Sequence, residues 1–314
     1  MNAPPRVTVL TTAFNSERFL AEAIESVLAQ EYRDFEYVIV DDGSTDATSA
    51  ILERFAKRDP RIVLVRLPEN RGVGFAANRG LEIARGAYIA RLDSDDVTLP
   101  GRFAAQIEAL DARPELALVS TRYDLIDARG AIRGNVSPVA EPPLVSYLMN
   151  FTNPLGAHSP AMFRAAAARA IAGYDETHQP CADYDLIARI GEMAVLPFTG
   201  VRYRVHESQI TSRRRGQQRR LVLEIAQRRL SAFLEREVSF DEINAARSVF
   251  GFSEARASAD LAQRVLEEAF ARFRELYSPH ADRVRAITAR GWLSSIRREA
   301  ETLRRLRYAW RWWL

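Results

Sequence analysis

The stretch RLDSDD, residues 91–96, follows the apolar run Ala87–Ala90, which is entered from Gly86. A short apolar run bounded by glycine reads as a buried strand, so Asp93, Asp95 and Asp96 stand at a strand's end. Three carboxylates in one turn repel one another unless a cation sits among them. Hard divalent cations take carboxylate oxygens, and one with open positions can grip and neutralise a diphosphate. The competing reading is structural, with Asp96 as a helix cap and the other two acids in a solvated loop.

Working outward, the same arrangement recurs twice. Tyr37–Val40 is a buried run, and Asp41-Asp42-Gly43-Ser44-Thr45-Asp46 follows at once. Gly43 permits a sharp turn, and Ser44 or Asp46 can cap a helix over 47–57. Val7–Thr12 ends at Ala13-Phe14-Asn15, before a helix over 17–30 with Glu17 and Glu22 in its early turns. Three strands thus deliver polar clusters at their C-terminal ends, the edge where open α/β sheets bind ligands. The alternation continues through a strand at 62–67, a helix at 74–84, a strand at 88–92, a helix at 100–112 and a strand at 116–120. Strands alternating with helices predict a parallel sheet. Gly130, Gly134 and five prolines punctuate residues 121–160 as a hairpin and loops. A helix at 183–193 and a strand at 199–206 follow. After Gly216 the apolar residues recur at helical spacing, as in Leu223, Ala226, Leu230 and Phe233, and again in Leu261, Val265, Ala269, Phe273 and Leu276.

Six segments in this order, TTAFN (11–15), DDGSTD (41–46), NRGVGFAANRG (70–80), LDSDD (92–96), ADYDLIARI (182–190) and YRVHESQIT (203–211), resemble the motifs of family 2 glycosyltransferases. The resemblance covers roughly residues 5–215. It implies the GT-A fold, an α/β Rossmann-like and mostly parallel central sheet flanked by helices, here with a C-terminal α-helical extension. The expected organisation is a catalytic domain over 1–215 and a basic helical region over 216–314. Within the former, about 1–120 would bind the nucleotide sugar and 121–215 the acceptor.

The implied chemistry is an inverting, metal-dependent transfer from a nucleotide-diphosphate sugar, a UDP-sugar in the first instance, to a hydroxyl of a glycan, polysaccharide or glycolipid. By resemblance, Asp95 of the DXD motif binds Mn²⁺ or Mg²⁺, His206 completes the coordination, and Asp93 meets the ribose or reaches the metal through water. Imidazole is compatible with Mn²⁺ and less typical of Mg²⁺. Thr12 and Phe14 line the nucleobase pocket, and Asp42 accepts from a pyrimidine N–H. Phe14 stands where the family often has tyrosine, and its structural alternative is a core aromatic. Arg71 and Asn78 belong to the nucleotide-sugar set, with Arg79 as support for its helix. An inverting displacement needs a general base. Asp183 matches that position, with Asp185 as runner-up. Ala182 replaces the family's usual glutamate and removes an acidic neighbour that would raise the base's pKa. His158 is expected on the acceptor side. Arg213, Arg214 and Arg215 follow His206 in a segment suited to a closing lid or to a solvated basic run.

Composition agrees with an enzyme of this size. The 314 residues are 47% hydrophobic, ample for a core, and the single Cys181 excludes an internal disulfide. One cysteine and no apolar leader point to a reducing, cytoplasmic location, and no run of about 18 apolar residues predicts a membrane span. Residues 1–200 carry 20 basic and 27 acidic side chains, and residues 201–314 carry 24 and 14. An acidic domain is therefore joined to a basic tail. No nucleic-acid partner is expected.

Residues 281–314 read as one or two helices whose stripe of Val284, Ile287, Trp292, Ile296, Leu303, Leu306 and Trp310 is flanked by arginines. Such a stripe suits a peripheral helix on the cytoplasmic face of a bacterial inner membrane, near a lipid-linked acceptor. It equally suits packing on neighbouring helices or a homodimer interface. Two other functions fit paired acids on a doubly wound sheet. A sugar-phosphate nucleotidyltransferase needs a glycine-rich opening, and TTAFNSERF lacks it. A non-catalytic nucleotide-sugar-binding protein would bind a donor and release no diphosphate.

Overall fold

The computed structural model describes residues 3–138, 141–207, 215–251 and 258–298. The Arg213–Arg214 segment and the tail from Glu299 to Leu314, with Trp310, lie outside them. The chain divides into two compact units, residues 1–140 with 155–218, and residues 141–154 with 219–314.

In the first unit β1 (Val7–Ala13), α1 (Leu20–Leu28), β2 (Phe35–Asp41), α2 (Thr48–Arg58), β3 (Ile62–Arg66), α3 (Val73–Ile83) and β4 (Tyr88–Arg91) alternate as the sequence predicts. β2 is buried at all seven positions, which explains its unbroken apolar run. Helix α1 buries Leu20, Ala23, Ile24 and Val27, one face of a 3.6-residue period. These four strands are parallel, in the order β3-β2-β1-β4. The direction of winding reverses between β1 and β4, which opens a crevice at their C-terminal ends.

Beyond β4 the sheet is mixed, a departure from the mostly parallel expectation in this half. It continues β8 (Met162–Arg164), β6 (Leu118–Ile126), β9 (Met193–Arg204) and β5 (Val97–Thr98), with β7 (Ile132–Val136) on β6. β8 runs antiparallel to both β4 and β6 and separates them. The helix predicted over 183–193 is α7 (Ala182–Arg189) and stops early, because Gly191 takes φ +116° and Met193 already belongs to β9. β9 begins before the predicted Thr199. Its pairing to β6 skips from Leu196 to Thr199, and Pro197, which has no N–H to donate, falls in that irregularity. α4 (Arg102–Ala112) and α6 (Ala165–Ala170) complete the unit.

A polar knot fixes where β4 enters the sheet. The buried Glu36 carboxylate accepts from Thr8 Oγ1 (2.7 Å), Arg85 N (2.7 Å) and Arg85 Nε (2.7 Å), while Gly86 N donates to Thr8 Oγ1 (2.9 Å). A Cβ on Gly86 would lie 2.3 Å from the Thr8 nitrogen. Gly86→Ala is therefore expected to destabilise the protein by about 1–3 kcal/mol. The effect would be read as a lower denaturant midpoint at unchanged slope.

The second unit gathers α5 (Pro142–Met149) with α8 (Arg215–Leu234) from Arg219 onward, α9 (Phe240–Val249), α10 (Ala259–Leu276) and α11 (Ala281–Arg298). Ser239 and Glu242 form a reciprocal capping box on α9. Tyr147 meets Phe273 edge-on at 5.3 Å, and Arg247 donates to the Phe151 carbonyl. The predicted face of α10 is buried at Val265, Ala269 and Phe273, whereas Leu276 is exposed. In α11, Val284, Thr288 and Ala289 are buried, so the start of the C-terminal stripe is a packing face of this unit. No described helix is long and apolar enough to cross a membrane.

Candidate active site

The ends of β1 and β2 are laced together. Asp42 N donates to the Ala13 carbonyl (2.8 Å), Asn15 N to Ser44 Oγ (3.0 Å), and Thr45 N to Asn15 Oδ1 (2.8 Å). Asp41 closes its own turn, accepting from Ser44 N and the Ser49 hydroxyl. Gly43 has φ +71°, and a Cβ there would lie 2.4 Å from the Glu69 carbonyl carbon. Asp42 points the other way, accepting from Arg71 N (2.8 Å), Gly72 N (2.8 Å) and Asn70 Nδ2 (3.1 Å). Burial raises its carboxyl above the usual range, and the two backbone N–H groups oppose that rise. Thr12 is half-buried at the same edge, and Phe14 is 45% exposed. The alternative of a core role for Phe14 is thereby removed.

The NRGVGFAANRG segment divides in two. Arg71 is exposed, with its guanidinium 4.3 Å from the Phe75 ring centroid. Asn78 is engaged at both ends of its amide, donating to the Tyr174 carbonyl (2.9 Å) and accepting from Tyr174 N (2.9 Å). It braces α3 against the loop that leads to α7. Arg79 pairs with Glu82 on its own helix.

The acidic loop lies at the end of β4. Asp93 Oδ1 accepts from Arg91 (2.9 Å), and its backbone N–H donates to Ser159 Oγ (3.0 Å). Asp95 Oδ2 meets His206 Nε2 at 2.9 Å. Asp96 is fully buried and accepts from Ser159 Oγ and from Arg204 N (2.8 Å). It therefore orients the loop, and the capping role belongs to no acid here, since Gly101 precedes α4. Burial, then the charges of Asp95 and Asp93, push the Asp96 carboxyl well up. Asp93 is also raised, by burial first and by Asp95, against the pull of Arg91. The Tyr203 phenol rises too, through burial and then the fields of Asp96, Asp93, Asp95 and Asp183. The carboxylate donors of this loop and the His206 imidazole beside Asp95 suit a divalent ion. The side chain of Asp93 is turned to Arg91, apart from the Asp95–His206 pair. Among the described residues, the three-residue set with ligand atoms within 4.8 Å of one another is Asp175, His178 and Asp185. That set is already satisfied internally, with Asp175 on His178 (2.7 Å) and Asp185 on Arg189 (2.6 Å).

Asp183 opens α7 and is half-buried. Desolvation is the main force pushing its carboxyl up to about 6, with Asp93 adding to the rise while Tyr184 N and Arg91 oppose it. Asp185, the runner-up, is fully buried and holds Arg189, which also donates to the carbonyls of Ile171 and Gly173. It is an anchor for α7. Ala182 is buried beside Gly74 of α3, where an added Cβ would lie 3.2 Å from the Ala182 Cβ. Asp183 gains its shift from burial and Asp93 instead of from an acid at 182. His158 is buried against Phe163 and Tyr174, 3.4 Å from the Tyr174 hydroxyl. Burial, then Arg91 and Arg102, hold it well below its usual range, which disfavours the charged imidazolium.

Arg91, Arg102 and Arg204, three of the four buried arginines among the described residues, went unread in the sequence. Arg91 donates to the Leu10 carbonyl (3.0 Å) besides Asp93, and Arg102 to the carbonyls of Arg91 (2.8 Å) and Ala161 (3.1 Å). A charged residue ending an apolar strand run, as in YIAR at 88–91, was the available signal.

Residues 8–171 match the family described as glycosyl transferase family 2. The chain belongs to that family. The succinoglycan biosynthesis protein ExoO of Rhizobium meliloti is 34% identical over 229 residues, covering 67% of this chain and 65% of that one. The chondroitin synthase of Escherichia coli is 31% identical over 189 residues, covering 60% and 27%. The chain thus spans less than two thirds of either relative. Among solved structures, residues 1–349 of S. aureus TarS in complex with UDP-GlcNAc align with TM-score 0.61 at 18% identity, covering 90% of this chain and 83% of that one. The mannosyltransferase PcManGT of Pyrobaculum calidifontis, in complex with GDP-Man and Mn²⁺, aligns with TM-score 0.52 at 18% identity, covering 97% and 78%. The family 2 domain therefore has the GT-A fold, with helices following it.

Proposed function

We propose that this family 2 domain is an inverting glycosyltransferase that moves a sugar from a UDP-sugar to a hydroxyl of a polysaccharide, glycan or glycolipid acceptor. The observation that carries the reading is the Asp183 carboxyl, raised to about 6 within the field of Asp93 in the acidic loop. A carboxylate tuned upward is suited to take a proton near neutral pH. Asp183 would accept the acceptor's hydroxyl proton as the oxygen attacks the anomeric carbon. Phe14 would stack on the base through its exposed ring, and Asp42 would accept from the ring N–H with the one lone-pair direction its three donors leave. Thr12 would border the same pocket, and Arg71 would meet the diphosphate. Asp95 and His206 would hold Mn²⁺ or Mg²⁺, with Asp93 on the ribose or bound through water; the ion would neutralise the departing diphosphate. His158, buried against Phe163 and Tyr174, would shape the wall beneath the acceptor side. The names of the relatives above support polysaccharide synthesis as the setting.

A panel of nucleotide sugars, each with Mn²⁺ and with chelator, tests the reading through thermal shift. A bound donor stabilises by mass action, so one UDP-sugar is expected to raise Tm in a metal-dependent way. Release of UDP from that donor, dependent on a hydroxyl acceptor, completes the test. Stabilisation by UDP-sugars without release of UDP to any acceptor would favour a binding protein and overturn the reading.

A further inference from the structure

Arg204 closes β9 and is among the largest fully buried side chains of the protein, 2% exposed. Its Nε donates to the Asp95 carbonyl (2.8 Å), and its backbone N–H to Asp96 Oδ1 (2.8 Å). One terminal nitrogen reaches Glu22 of α1 (2.6 Å) and the other the Asp127 carbonyl beyond β6 (3.3 Å). Its guanidinium lies 4.5 Å from the centroid of the Phe19 ring, and that ring lies 4.9 Å from the His206 imidazole. Asp95 and His206, 111 residues apart in the chain, are therefore both held by one side chain, directly in the first case and through Phe19 in the second.

A buried arginine is a costly way to fill space, and an apolar residue of similar volume often serves stability as well or better. What the planar fork supplies is direction, since its donors are fixed relative to one another. We propose that Arg204 is a positioning residue for the metal-binding end of the site, setting the Asp95 main chain and the His206 ring in register for coordination. The inference rests on the reading of Asp95 and His206 as metal ligands.

The test is Mn²⁺ affinity, measured with Mn²⁺ alone by the electron paramagnetic resonance signal of the free ion. Arg204→Met is expected to weaken binding at least about tenfold, the scale seen when outer partners of metal ligands are removed. Arg204→Lys, which keeps charge without the fork, should fall between Met and wild type. Turnover of the Met variant should recover as Mn²⁺ is raised, which a partly unfolded protein would not do. Mn²⁺ affinity within about twofold of wild type in a folded Arg204→Met protein would overturn the proposal. If that variant does not fold, Phe19→Leu decides. Loss of the ring between guanidinium and imidazole should weaken Mn²⁺ about threefold, and an unchanged affinity overturns the proposal. Asp95→Asn separates the two ideas. If it too keeps wild-type affinity, the metal reading itself fails; if it alone loses Mn²⁺, only the role of Arg204 fails.

Discussion

Asp183→Asn is expected to lower turnover at least about a hundredfold, the usual scale of general-base catalysis, with donor affinity close to wild type. The amide keeps the size of the side chain and cannot take a proton. The pH profile gives a second readout. The Asp183 carboxyl sits at about 6, and only its ionised form accepts a proton. In the wild type kcat/KM should therefore rise with pH, level off above about 6, and fall roughly tenfold per unit below it. The variant should lose that inflection. Asp185→Asn provides the contrast: weakening a buried ion pair to Arg189 should cost stability, about 3 kcal/mol if the pair is fully lost, and should leave the inflection in place. If the inflection and the turnover go with Asp185 and survive in Asp183→Asn, the base has been misassigned.

Asp95→Asn should reduce turnover by about two to three orders of magnitude, the range for removing one preorganised electrostatic stabiliser. Titration calorimetry with UDP locates the cause. Wild-type protein should bind UDP more tightly with Mn²⁺ than with chelator, and the variant should bind it weakly and equally in both. Removing one carboxylate also relieves repulsion within the loop. The Asp96 carboxyl, raised partly by Asp95, should then move down, and the folded state should not lose stability. Equal UDP affinity of the wild type with metal and with chelator would end the metal-dependent account. A fall in Tm with no change in UDP binding would make Asp95 a structural residue.

The first half of the fold was legible because its signals are local. β2 and β4 carry short apolar runs, β1 sets Val and Leu among threonines, each is followed within one to three positions by a polar turn, and a parallel sheet needs little else to be recognised. Phe14, Asp42 and the Asp93–Asp96 loop follow from that pattern, because strand ends in such a sheet share one edge. The sequence also singled out Asp183 by motif, although it offered no cause for a raised carboxyl once Ala182 replaced an acid.

The remainder depends on groups far apart in the chain, and only the tertiary structure decided it. β8 has three residues and β5 two, too few for any periodicity to register, yet β8 separates β4 from β6 and makes the sheet mixed. Asp183 and Asp185 are both acids in the first turn of one helix; Arg189 and its carbonyl partners make the second an anchor, while Asp93 tunes the first. Asn78 reads as a ligand contact until Tyr174, 96 residues away, takes both ends of its amide. Residues 141–154 read as loops of the acceptor side and pack instead with the helices of the second unit. The buried arginines were hidden for the same reason: a guanidinium is tolerated inside only where carbonyls and carboxylates from several segments converge on it. That convergence is a property of the folded chain, and no window of sequence contains it.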